Sequence, residues 1–116
     1  MLHIVEALRQ SPAIKQVQVI DFIDEATVKY LKCRAECLDG SILQIEESFI
    51  ASKNKYSYHW QDGQQRLLVR WDNAPHHPHL STFPHHRHES GAVLESLRVS
   101  IDDVLTEIET RLQISK

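Results

Sequence analysis

Two Asp-Gly pairs, Asp39-Gly40 and Asp62-Gly63, each separate stretches in which apolar and polar residues alternate. Such pairs tolerate the positive φ of tight two-residue turns, so alternation on both sides predicts antiparallel hairpins. Before the first pair, from Thr27 to Cys37, the residues Leu31, Cys33, Ala35 and Cys37 alternate with Lys32, Arg34 and Glu36. After it, Leu43, Ile45 and Phe49 alternate with Gln44, Glu46 and Ser48. Before the second pair, Tyr56, Tyr58 and Trp60 share one face of a strand, and Ser57, His59 and Gln61 share the other. Leu67, Val69 and Trp71 run back along the next. An earlier strand starts at Val17, Val19 and Phe22 and meets a turn at Asp24-Glu25.

Helical period marks both ends of the chain. Leu2 to Arg9 has apolar residues at 2, 4, 5 and 8 and is closed by Ser11-Pro12. Near the C-terminus Ser100 stands as an N-cap before Ile101, Val104, Leu105, Ile108 and Leu112. The acidic residues of that helix, Asp102, Asp103, Glu107 and Glu109, are expected on a solvated face. The expected fold is α+β, a single domain over residues 1–116. It is an antiparallel β-meander of four to five strands, with a short N-terminal helix and a C-terminal helix packed on one face.

Other classes fall away on composition. Hydrophobic residues at 41% and charged residues at 25% are near the globular average, which excludes a disordered chain. The apolar runs are too short to span a bilayer, and the first residues lack the pattern of a signal peptide. A cytoplasmic location, with no membrane partner, is therefore expected. Cys33 and Cys37, four apart on one strand, lie roughly 13 Å from each other and cannot bridge. They are expected as reduced core residues. The net charge of −3 argues against a general nucleic-acid coat, but protonating all eight histidines would carry the chain to +5.

Positions 73 to 91 show neither period and carry Pro75, Pro78 and Pro84, which predicts one long irregular connection. Six of the eight histidines fall there, in two near-copies: Pro75-His76-His77-Pro78-His79 and Pro84-His85-His86-Arg87-His88. Arg70-Trp71-Asp72-Asn73 stands immediately before. This string, through Ser81-Thr82-Phe83, resembles the TumE family, small bacterial and archaeal proteins classed as toxins of toxin–antitoxin pairs. The likeness extends upstream to Tyr56-Ser57-Tyr58-His59-Trp60-Gln61 and downstream to the C-terminal helix, about two-thirds of the chain. It implies a toxin neutralised by a neighbouring antitoxin with a helix-turn-helix domain. It carries no residue-by-residue mechanism.

The residues themselves permit three chemistries. Metal-independent cleavage of RNA needs a base, an acid and a cation for the phosphorane. His85, His86 and His88, then His76, His77 and His59, are the candidate proton-transfer groups, with Arg70, Asp72 and Arg87 beside them. Tyr56, Tyr58, His59 or Phe83 would stack bases, and Arg87 would hold a phosphate next to the proton donors. The alternative is a non-catalytic, histidine-rich metal-binding protein. His77, His79, His86 and His88, with Asp72 or Glu89, suit zinc or another transition ion. Third, the imidazoles would only rigidify the loop, and Asp72 would cap the turn at Asn73-Ala74-Pro75. Metal-free acid–base chemistry is the preferred expectation, so no cofactor is expected. RNA and a second copy of the chain are further candidate partners.

Overall fold

The computed structural model describes residues 1–114. Helix α1 (Leu2–Gln10) leads into strands β1 (Ile14–Asp24), β2 (Val28–Cys37), β3 (Ile42–Ile50), β4 (Lys53–Gln61) and β5 (Leu67–Asp72). Strands β6 (His86–Glu89) and β7 (Ala92–Glu95) follow, then helix α2 (Ile101–Arg111). The seven strands pair in chain order and every pair is antiparallel, so the sheet is an uninterrupted meander.

The expected sheet of four to five strands is two to three short of the seven observed. Strand β6 lies inside the segment read as irregular and β7 directly after it, with Ser90 (φ 53°) and Gly91 (φ 76°) making a two-residue turn between them. Two positive φ values in succession match the right-handed twist of a hairpin. The Asp-Gly positions do join strands, but through longer loops than two residues. At the second, Asp62 Oδ1 accepts the backbone N–H groups of Gln64 (2.8 Å) and Arg66 (3.0 Å), and Gln65 takes the positive φ of 65°. The two-residue turn between β3 and β4 is instead Ala51-Ser52, with φ of 52° and 63°.

Alternation decides which sheet face is covered. Leu31, Cys33 and Ala35 of β2, Leu43 and Ile45 of β3, Trp60 of β4 and Trp71 of β5 are all buried, in one core with Ile4 and Leu8 of α1 and Val104, Leu105 and Ile108 of α2. Both cysteines are free and buried in this layer, and desolvation pushes the Cys33 thiol up to about 11. Helix α2 starts in a full capping box, Ser100 Oγ accepting from Asp103 N while Asp103 Oδ2 accepts from Ser100 N.

The acidic residues of α2 are not one solvated face. Glu109 is buried and accepts a 2.7 Å hydrogen bond from Ser11 Oγ, tying α2 to the end of α1. Glu107 reaches the sheet. Among the described residues no helix is long and apolar enough to cross a membrane.

Candidate functional site

The opposite sheet face carries the polar half of the alternation, and residues 73–85 fold over its end. Three anchors fix that loop. Asn73 continues the sheet with its side chain, accepting from Tyr56 N (3.0 Å) and donating to Asn54 O (2.8 Å). Thr82 Oγ1 donates to His85 O (2.7 Å) and accepts from Ser96 N (3.1 Å), fastening the loop to the far side of β7. His85 Nδ1 meets the Tyr56 hydroxyl at 2.9 Å with the two rings stacked. The result is a groove of about 1190 Å³ along the uncovered face.

Five cationic side chains border it, Lys32, Arg34, Lys53, Lys55 and Arg70, against two carboxylates, Glu46 and Asp72. That balance is positive on a chain of net charge −3. His59 and His76 are the imidazoles on its lining, and Phe83, 45% exposed, stands on the loop side. Burial, and secondarily the neighbouring Arg70, hold His59 below the usual histidine range. Arg70 Nη1 lies 3.2 Å from His59 Nδ1, and its Nε donates to Asp72 Oδ2 at 3.0 Å.

Asp72 sits at the junction of groove and loop. Strand pairing sets it directly opposite His86, and Arg70 opposite His88, so these four side chains project on one face. Although it is a carboxylate, Asp72 is only 3% exposed. Its Oδ1 accepts from Ala74 N at 2.9 Å and lies 3.0 Å from His86 Nε2; its Oδ2 lies 3.5 Å from His88 Nε2. It therefore caps the turn and meets the histidines at once. His86, 2% exposed, donates from Nδ1 to Pro84 O at 3.0 Å, which turns its Nε2 toward Asp72. That nitrogen is 3.0 Å from His88 Nε2, and the ligand nitrogens of His77, His86 and His88 lie within 4.8 Å of one another. Burial also lowers the His88 pKa, against an upward pull from Asp72.

Several expected residues land elsewhere. Arg87 pairs with Trp71 on the covered face, where its guanidinium lies 5.5 Å over the indole and binds Glu89 and Glu107. The Glu107 hydrogen bonds raise its pKa, and it stands away from the histidines flanking it in sequence. Tyr58 is buried and donates to Glu47 Oε2 at 2.9 Å, and Tyr56 is buried too, its hydroxyl pushed up to about 12 by desolvation. Neither presents a ring for stacking; Phe83 and His59 do border the groove. His85 turns to Tyr56, and burial, then Arg98, lower its pKa. His79 is exposed, its ring centroid 6.0 Å from that of His77, outside the convergent set. Lys32, Arg34 and Lys55 were not singled out in sequence, although each occupies a polar position of an alternating strand. Their common side was the usable signal.

The family model described as Toxin TumE matches residues 4–112. No curated protein and no solved structure matches the chain significantly. With a match running from the first helix to the end of the last, the chain belongs to the TumE toxin family.

Proposed function

We propose that this toxin acts on RNA, seating a single strand in the groove of the uncovered sheet face, with histidines on the groove's lining supplying the proton transfer. The observation that carries this reading is the charge reversal. A concave surface bordered by five cations and two carboxylates belongs to a protein that is acidic as a whole. A polyanion is the ligand such a surface favours, and concavity with an exposed Phe83 at the edge suits splayed bases better than a duplex. His59, Arg70 and His76 border the groove, whereas His85 and His86 are already engaged by Tyr56, Pro84 and Asp72. Proton transfer to a bound strand is therefore assigned first to His59 and His76. Membership of a toxin family implies an antitoxin partner in general. Our reading is that the antitoxin, carrying a helix-turn-helix domain, covers the rim of this groove.

The test pairs growth with binding. Induced alone, the chain should arrest growth, and the neighbouring gene should relieve the arrest. Purified protein should bind a fluorescent single-stranded RNA with an affinity that falls steeply with salt, by a log–log slope of about 0.7 per phosphate neutralised. The pair Lys32→Glu and Arg34→Glu should weaken binding at least tenfold and abolish toxicity at an unchanged melting temperature. Gel analysis of the same RNA separates cleavage from occlusion. A chain that arrests growth but binds no RNA at low salt would overturn the proposal.

A further inference from the structure

Three imidazoles from two segments of the chain converge behind Asp72: His77 from the loop after β5, and His86 with His88 from alternate positions of β6. Their meeting brings electron-rich atoms together in a small space. Because His86 donates its Nδ1 proton to Pro84 O, its Nε2 faces Asp72 Oδ1 3.0 Å away, and with a neutral ring it would turn a lone pair on that oxygen. His88 Nε2 lies at the same 3.0 Å from that nitrogen and 3.5 Å from Asp72 Oδ2. Such a contact in a buried space requires a positive charge between nitrogen and carboxylate oxygen, either a proton or a metal ion.

We infer that a divalent transition ion binds here, held by His77, His86 and His88 with the Asp72 carboxylate as fourth ligand. In a tetrahedral zinc site, metal–nitrogen bonds of about 2.0–2.1 Å place neighbouring ligand atoms about 3.3 Å apart. The separations here, from 3.0 Å to no more than 4.8 Å among the three nitrogens, span that value. An outer shell is already built. Pro84 O orients His86 through the distal ring nitrogen, and Ala74 N and Arg70 Nε each hold one oxygen of Asp72. Three borderline nitrogens and one oxygen select zinc, cobalt or nickel over calcium or magnesium. The adjacent Arg70 cation opposes the ion, and Asp72 is the one carboxylate in the set that offsets it. The site stands on its own geometry. Any part the ion plays in RNA chemistry, as a charge beside Arg70 at the groove's end, rests on the RNA reading above.

The competing account is a proton: an imidazolium at His86 bonded to Asp72, with His88 Nε2 accepting from it. Untagged protein, stripped with a chelator and titrated with Zn²⁺ and with Co²⁺, separates the two. The expected result is one ion per chain by elemental analysis, visible-region cobalt bands of tetrahedral intensity, and a melting temperature raised by zinc. Since His86 is buried and its loss can unfold β6, the half-exposed positions carry the test. His77→Gln and His88→Gln, each checked for a native circular dichroism spectrum, should weaken zinc at least tenfold, while His79→Ala should bind like the parent. Less than a tenth of an ion per chain would leave the proton as the explanation and overturn the site. Equal affinity in the parent and both glutamine variants would place the ion elsewhere and overturn it equally.

Discussion

Replacing Arg87 with alanine separates a structural arginine from a substrate-binding one. Its Nε and Nη2 donate to Glu89 Oε1 at 3.1 and 2.6 Å, and Nη1 and Nη2 donate to Glu107 at 2.9 and 2.8 Å. This clamp joins β6 to α2 beneath the histidine site. The three side chains are 20%, 23% and 28% exposed, so the interaction falls between a surface pair, worth about 0–1 kcal/mol, and a buried one, whose breakage costs about 3–5 kcal/mol. Arg111 still reaches Glu89 (2.7 Å) and Glu107 (3.0 Å), so neither carboxylate is stranded. Loss of contact with Trp71 adds about 0.5–1 kcal/mol. The sum is about 2 kcal/mol, or a fall in Tm of about 8 °C for a domain of this size. Arg87→Lys should fall between, since an ammonium cannot bridge two carboxylates with a planar fork. Thermal melts monitored by circular dichroism, together with RNA affinity measured at least 20 °C below the variant's Tm, decide the matter. The reasoning predicts a lower Tm with affinity within about twofold of the parent. An unchanged Tm with a tenfold loss of RNA binding would return Arg87 to the substrate and refute the clamp.

Three further outcomes follow from the same structure. Because burial and Arg70 depress the folded-state pKa of His59, its neutral form contributes stability that is present above the unfolded value of about 6.5 and lost as pH falls through the depressed one. Tm should therefore drop between pH 7 and pH 5, and His59→Gln should shallow that drop; identical slopes in both proteins would contradict it. Cys33, buried and with its thiol raised to about 11, should resist iodoacetamide at pH 8 until the chain is unfolded, and rapid native labelling would show the core open there. Ser100→Ala removes one half of the α2 capping box and should cost about 1 kcal/mol in urea unfolding, whereas an unchanged midpoint would mean that sheet packing alone holds the helix start.

The alternation of Tyr56-Ser57-Tyr58-His59-Trp60 and of Leu67 to Trp71 is local information, and it identified β4 and β5 and, apart from the exposed Leu67, their inward faces without the structure. The stripe behind Ser100 did the same for α2, and the histidine string carried the family. For β6 the rule had nothing to act on. His-Arg-His-Glu has no apolar partner to alternate with, and its strand state comes from hydrogen bonding to β5 and from the turn at Ser90-Gly91. Without that strand, Arg87 and its histidine neighbours read as one cluster; once β6 exists, its two-residue period sends them to opposite faces. Asp72 and His86, fourteen positions apart, meet because of the β5–β6 register. The sequence by itself therefore determined part of the meander, both helices and the family. Only the tertiary structure decided which residues of the histidine segment face one another, because strand register is a long-range pairing to which side-chain spacing along the chain is blind.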